Sequence, residues 1–167
     1  GAGQAVFNES FATFVGARGA EWFFRLRGDS VHARLAAADW EDDKMLGRFW
    51  TRLWNELDSA YRAHPDDRAA RLTARDTIYA RARRLLIDSV GPQLHRVDLR
   101  VLPRVQLDNA ALLARRIYLT DLDAFDAIYA AEGRDLRRAI SRVITLAKRR
   151  EDDPYAELRA WVERIKP

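Results

Sequence analysis

The sequence of 167 residues contains no cysteine, which removes disulfide frameworks and thiolate metal sites from consideration. Histidine is nearly as scarce. The three present, His32, His64 and His95, stand far apart, so no HExxH pair offers two zinc ligands on one helical face, and each reads as a surface or loop residue. No apolar run approaches the roughly 20 residues of a membrane-spanning helix, and no signal peptide is visible. Only three of the 29 basic residues are lysine. A net charge of +4 is mild, and acids are interspersed with the arginines throughout, as in RDTIYARARR and EDDPYAELRA. That pattern describes solvated helix faces and argues against a nucleic-acid stripe.

What is present is a chain with 48% apolar residues and five tryptophans, enough for one domain with a core. The apolar periodicity is helical almost throughout. Val6 to Arg18 and then GAEWFFRLRG read as two short helices punctuated by Gly16, Gly19 and Gly28. Trp40, Phe49, Trp50, Leu53, Leu57 and Tyr61 mark one long helix over residues 40–63. After the break at His64-Pro65-Asp66-Asp67, Leu72, Ile78, Tyr79, Ala82, Leu85 and Leu86 mark a second over 67–89. The two make an antiparallel hairpin. Between Pro92 and Pro103 the period changes to the alternation of Val97, Leu99 and Val101, so residues 91–107 read as an extended crossover with room for one short strand. Three closing helices follow, over 109–119, 121–132 with Thr120 as cap and Gly133 as terminator, and 136–150 with Ile140, Val143, Ile144 and Ala147 inward. A last helix opens at Asp153-Pro154 and packs through Leu158, Trp161, Val162 and Ile165. The class is all-α. Its parts are 1–28, 40–89, 91–107 and 108–167 within a single domain or part of one.

One stretch departs from this pattern of core and surface. In FNESFATFV, residues 7–15, the helical wheel puts Phe7, Phe11, Phe14 and Val15 on one face and Glu9, Ala12, Thr13 and Gly16 on another. An acid on a face of small residues, where a second helix can approach closely, needs a partner: a metal, an arginine or the positive helix terminus.

Asn8-Glu9-Ser10-Phe11-Ala12 resembles the NExxA helix of gluzincin metallopeptidases, which supplies the glutamate ligand to zinc some distance after HExxH. The longer string AVFNESFATFVGARGAEWF is similar to a bacterial family of predicted aminopeptidases, in which an HELAHQ-type helix shortly precedes a segment reading FNESFATFV. The similarity continues through RLTARDTIYARARRLL and reaches Leu107-Asp108-Asn109-Ala110, like the family's LNNA, followed by Tyr118 and Phe125. Asp108 stands where that family has asparagine.

The resemblance implies that the chain is the helical C-terminal portion of a zincin-like zinc aminopeptidase, whose HExxH helix lies outside it, and that it is inactive and holds no zinc alone. It implies Glu9 as third zinc ligand, with two histidine ligands and a general-base glutamate supplied by the missing N-terminal part of the same protein, and a peptide as substrate. Relatives often carry a secretion or lipid-anchor signal, which implies an extracytoplasmic site. Within the chain, Tyr118 is a candidate oxyanion donor, Asn8 a group supporting the ligand or capping its helix, and Asn109 a helix cap or substrate contact. The alternative reading is a non-catalytic, arginine-rich helical module for an acidic partner or nucleic acid.

Overall fold

In the computed structural model, residues 1–167 are described, the side chain of Ala2 excepted, and the fold is all-helical. Seven α-helices are described: α1 (Ala2–Leu26), α2 (Ser30–Ala63), α3 (Arg68–Leu85), α4 (Asn109–Leu119), α5 (Leu122–Ala131), α6 (Leu136–Arg149) and α7 (Pro154–Ile165).

Aspartate starts most of these helices. The carboxylates of Asp29, Asp67, Asp108, Asp135 and Asp153 accept from backbone N–H groups of the first turns of α2, α3, α4, α6 and α7, satisfying donors that have no partner within the helix. Pro154 follows Asp153 in the favoured first-turn position. Helices α1 and α5 end in the same device. Gly28 and Gly133 take positive φ, 70° in each case. The N–H groups of Gly28 and Asp29 donate back to Arg25 and Phe24, and those of Gly133 and Arg134 to Ala130 and Tyr129.

The core is formed where α1 and α2 pack with α4, α5 and α7. Phe11 and Phe14 both stack on Phe125 at 5.6 Å between ring centroids. Phe7 meets Tyr155 edge-on at 5.1 Å, and Phe14 leans on the wholly buried Trp40. The expected hairpin of long helices is α2 with α3, and Trp50, Leu53, Leu57 and Leu86 lie in its core.

Several expectations are corrected. Residues 1–28 hold one helix of 25 residues rather than two: an interior glycine costs about 1 kcal/mol, which burial of Phe7 and Phe14 along the same helix outweighs. Helix α2 begins at Ser30, ten residues earlier than expected, because Asp29 caps it there. The second hairpin helix is regular only to Leu85 and continues as a π turn, Leu86–Val90. The crossover has no strand among the described residues. Leu99–Arg104 forms a 3-10 turn instead, since nothing lies alongside to complete a sheet ladder, and Leu102 alone of its apolar residues is buried. Leu72 and Ile144 are exposed, whereas Ala139 and Leu146, a helical turn to either side of Val143, are buried. Asp108 caps α4, so Asn109 is its first residue and not its cap. Thr120 ends α4 rather than capping α5, its hydroxyl donating to the Arg116 carbonyl at 2.5 Å.

Candidate functional site

Helix α1 carries the NExxA motif, and the surroundings fix its position at two points. The first is Ser10, next to Glu9 in sequence and fully buried. Its hydroxyl donates to the Ile117 carbonyl at 3.0 Å and accepts from the Thr120 N–H at 3.1 Å, so one side chain of α1 ties down the C-terminus of α4. The Tyr155 hydroxyl donates to the Thr120 carbonyl at 3.0 Å, fixing the same turn from α7. The close fit extends to α2, where a β-carbon at Gly47 would come within 2.5 Å of the Leu119 carbonyl oxygen.

The second point is a buried group of charges. The Arg18 guanidinium reaches Glu21 at 2.7 Å on its own helix and Asp126 on α5 at 2.6 Å, and lies over the rings of Tyr129 and Trp40 at 4.7 and 5.7 Å. Asp126 also accepts from Lys44 Nζ at 2.6 Å and Trp40 Nε1 at 3.1 Å. Burial alone would push the Asp126 carboxyl upward, but the hydrogen bonds and charges of Lys44 and Arg18 prevail and hold it below the usual carboxylate range. With each charge paired, the cluster links α1, α2 and α5. Loss of one partner from such a group costs about 3–5 kcal/mol.

Asp42, also buried, fastens the crossover by accepting from the N–H groups of His95 at 2.7 Å and Arg96 at 2.8 Å. Its neighbour Asp43 is half-buried and pushed up to about 6, chiefly by burial and then by the carboxylates of Asp39 and Asp42, against the opposing charge of Arg115.

Glu9 faces outward. Asn8, Glu9, Ala12 and Gly16 are exposed, a β-carbon at Gly16 would meet nothing within 4 Å, and none of the ion pairs among the described residues includes Glu9. The Thr13 hydroxyl donates to the Glu9 backbone carbonyl at 2.9 Å, which leaves the carboxylate uninvolved. Tyr118 is 51% exposed and lies between the two α4 groups that Ser10 holds. The fold thus brings the Asn8-Glu9 turn of α1 and the Tyr118 turn of α4 to one junction. Asn109 is elsewhere, at the opposite end of α4, about 13 Å along the helix axis, where its amide oxygen accepts from the Tyr79 hydroxyl at 2.5 Å.

The donor set offers a metal one oxygen ligand and no more. Among the described residues no three His, Asp or Glu side chains gather into a cation site. His32 is engaged with Asp29 at 2.7 Å, and His64 and His95 are exposed on other segments. An unpaired carboxylate with open space around it fits a shared zinc shell completed by ligands from another segment; it does not make a site by itself.

Sequence reasoning missed Ser10, Arg18, Lys44, Asp42 and Asp126. The Arg18–Glu21 spacing is a helical i,i+3 pair and was available in the sequence. The partners Asp126 and Ile117 lie more than a hundred residues away and left no local signal. A groove of about 710 Å³ between α2, α3 and the start of α5 has charges paired across it, Arg48 with Asp123 and Arg52 with Glu56.

No curated protein and no solved structure matches the chain. Residues 2–158 match the family described as Putative aminopeptidase, a span that includes the NExxA helix, the hairpin, the crossover and the opening of α7. The chain belongs to the Putative aminopeptidase family.

Proposed function

We propose that this chain is the C-terminal, third-ligand part of a gluzincin-like zinc aminopeptidase, and that Glu9 is its contribution to the metal shell. The observation that carries the reading is the state of Glu9: a carboxylate on a helix anchored at Ser10 and Arg18, exposed, without an ion-pair partner, and flanked by Ala12 and Gly16 where a second helix can approach. The structural acids of this chain hold either an arginine, as Glu21, Glu132 and Asp126 do, or backbone N–H groups, as Asp42 and the capping aspartates do; among the described residues Glu9 holds neither.

Zinc in such a shell supplies polarisation of the scissile carbonyl and of the attacking water. Glu9 contributes one anionic oxygen, and the anchoring of α1 limits how far that oxygen can move. Tyr118 offers a hydroxyl at the same junction, suited to donating a hydrogen bond where negative charge develops on the carbonyl oxygen. Asn8 sits beside the ligand as a group able to orient it. The two histidine ligands and the general base come from an HExxH helix upstream in the intact protein, which seats against the small-residue face of α1.

The test is made in the full reading frame. An upstream HExxH is expected there, and Glu9→Gln is expected to lower zinc retained after dialysis and abolish most aminoacyl-arylamide hydrolysis with an unchanged helical spectrum. Tyr118→Phe is expected to keep its zinc and lose turnover by roughly 10²-fold. Full zinc occupancy and activity in Glu9→Gln would overturn the assignment; an unaltered Tyr118→Phe would remove Tyr118 alone.

A further inference from the structure

The end of the molecule formed by the last two turns of α1 and the first turn of α2 exposes large apolar side chains that no core requirement explains. Trp22 is 46% exposed, Phe23 50%, Leu26 68% and Val31 56%. They flank the tight turn at Gly28 that joins α1 to α2. Scattered apolar residues on a surface need no explanation, but four large ones beside a single turn do.

Arginines outnumber acids around them, and Asp135, between Arg134 and Arg137, is occupied in capping α6. Between Trp22 and Arg34 the chain carries three arginines, Arg25, Arg27 and Arg34, against one acid, Asp29. Asp29 is occupied in capping α2 and binding His32. The next acid inward, Glu21, is buried and held by Arg18 and Arg25. Helix α6 adds Arg137, whose guanidinium lies 5.8 Å from the Trp22 ring centre, and the turn before it adds Arg134, 3.7 Å from Glu21. Arg27 similarly covers Phe23 at 5.3 Å.

Tryptophan, phenylalanine and leucine exposed beside one helix–helix turn, with arginine guanidinium groups over the rings, is the pattern of a protein surface that dips into the headgroup region of a bilayer. The aromatic and aliphatic groups enter the acyl boundary and the guanidinium groups meet lipid phosphates. We propose that the α1–α2 tip of this chain is a lipid-contact surface for anionic bilayers.

Two other occupants fit less well. A second copy docking tip to tip would bring like arginine collars together, as two-fold contacts pair identical patches. A nucleic-acid strand is recognised by stacking on aromatic faces along a basic groove, whereas here the most exposed groups are the aliphatic Leu26 and Val31, and the aromatic faces already carry arginines. The proposal is independent of the peptidase reading, since it involves neither Glu9 nor Tyr118.

Cosedimentation with vesicles tests it. The chain is expected to pellet with phosphatidylglycerol–phosphatidylcholine vesicles, to bind pure phosphatidylcholine far less, and to be partly released by high salt, which screens the arginines but not the inserted side chains. Trp22→Ser/Phe23→Ser/Leu26→Ser is expected to lower the partition coefficient roughly tenfold or more with unchanged circular dichroism. Arg27→Glu/Arg34→Glu, which leaves the apolar tip in place, is expected to abolish the preference for the anionic lipid. Failure to bind anionic vesicles, or binding of either variant to them as tight as that of the unaltered chain, would overturn the proposal. So would binding of a single-stranded oligonucleotide without vesicle binding, or a dimer that the triple variant dissolves.

Discussion

Asp43 shows how a single residue can couple stability to pH in this protein. It is half-buried on α2, and burial together with Asp39 and Asp42 raises it from an ordinary 3.8 to about 6. Between those two values the folded state holds the proton more tightly than the unfolded chain does. This residue therefore favours folding at the acid end of that window, and its contribution falls as pH rises towards 6 and then levels off. Asp43→Asn is expected to raise stability at pH 7.5 by about 1 kcal/mol, discounted for its partial solvent contact, and to change it little near pH 4. Urea midpoints at the two pH values check this; equal shifts at both would show that the ionised carboxylate carries no penalty. Asp126 behaves in the opposite sense. Its depressed value adds stability that is present above the ordinary carboxylate range and is lost only as pH falls through the lower folded value. Glu9 differs from both because, being exposed, its replacement falls in the class of surface changes usually within ±0.5 kcal/mol. Loss of metal or activity in Glu9→Gln therefore reads chemistry rather than folding.

Among elements, the decisive contact is the seat of α4 on α1 and α2. Two opposing effects meet at Gly47. Alanine is intrinsically better than glycine inside a helix by about 1 kcal/mol, but its β-carbon would lie 2.5 Å from the backbone oxygen of Leu119. That oxygen cannot easily retreat, because Ser10 and Tyr155 hold the following turn from two other helices. The clash wins, and Gly47→Ala is expected to destabilise by about 2 kcal/mol, read as a lowered urea midpoint. A gain in stability would mean that α4 slides freely on α2. The crossover is legible in the same terms. Its alternating Val97, Leu99 and Val101 resembled a strand, yet the segment is pinned end-on through the Asp42 carboxylate instead of edge-on to a sheet.

On the scale of the molecule, α1 packs on α2 along its length, α4 at Ser10, α5 through Phe14 and Arg18, and α6 and α7 at its flanks, while α2 in turn carries α3. Since α1 and α2 between them meet every other α-helix, circular dichroism and tryptophan fluorescence are expected to report one coincident urea transition. Two separated transitions would show that the α2–α3 hairpin folds apart from the rest.

The sequence by itself determined the helical class, the hairpin and most of the boundaries, because these depend on apolar periodicity and on caps such as Asp67, Asp153 and Gly133, whose effect is felt within four residues. It also singled out Glu9, since a lone carboxylate among small residues is a local anomaly. The tertiary structure alone decided what cannot be encoded locally. Gly16 and Gly19 do not break α1, because aromatic burial outweighs their cost; Leu72 and Ile144 stay in solvent, because no element arrives to cover them; and Ser10, beside Glu9, holds the end of α4 next to Tyr118 while Asn109 lies at the other end of that helix. Arg18 and Asp126 find each other across 108 residues. Such pairings depend on how the chain folds back on itself, and that is a property of the packed molecule rather than of any window of its sequence.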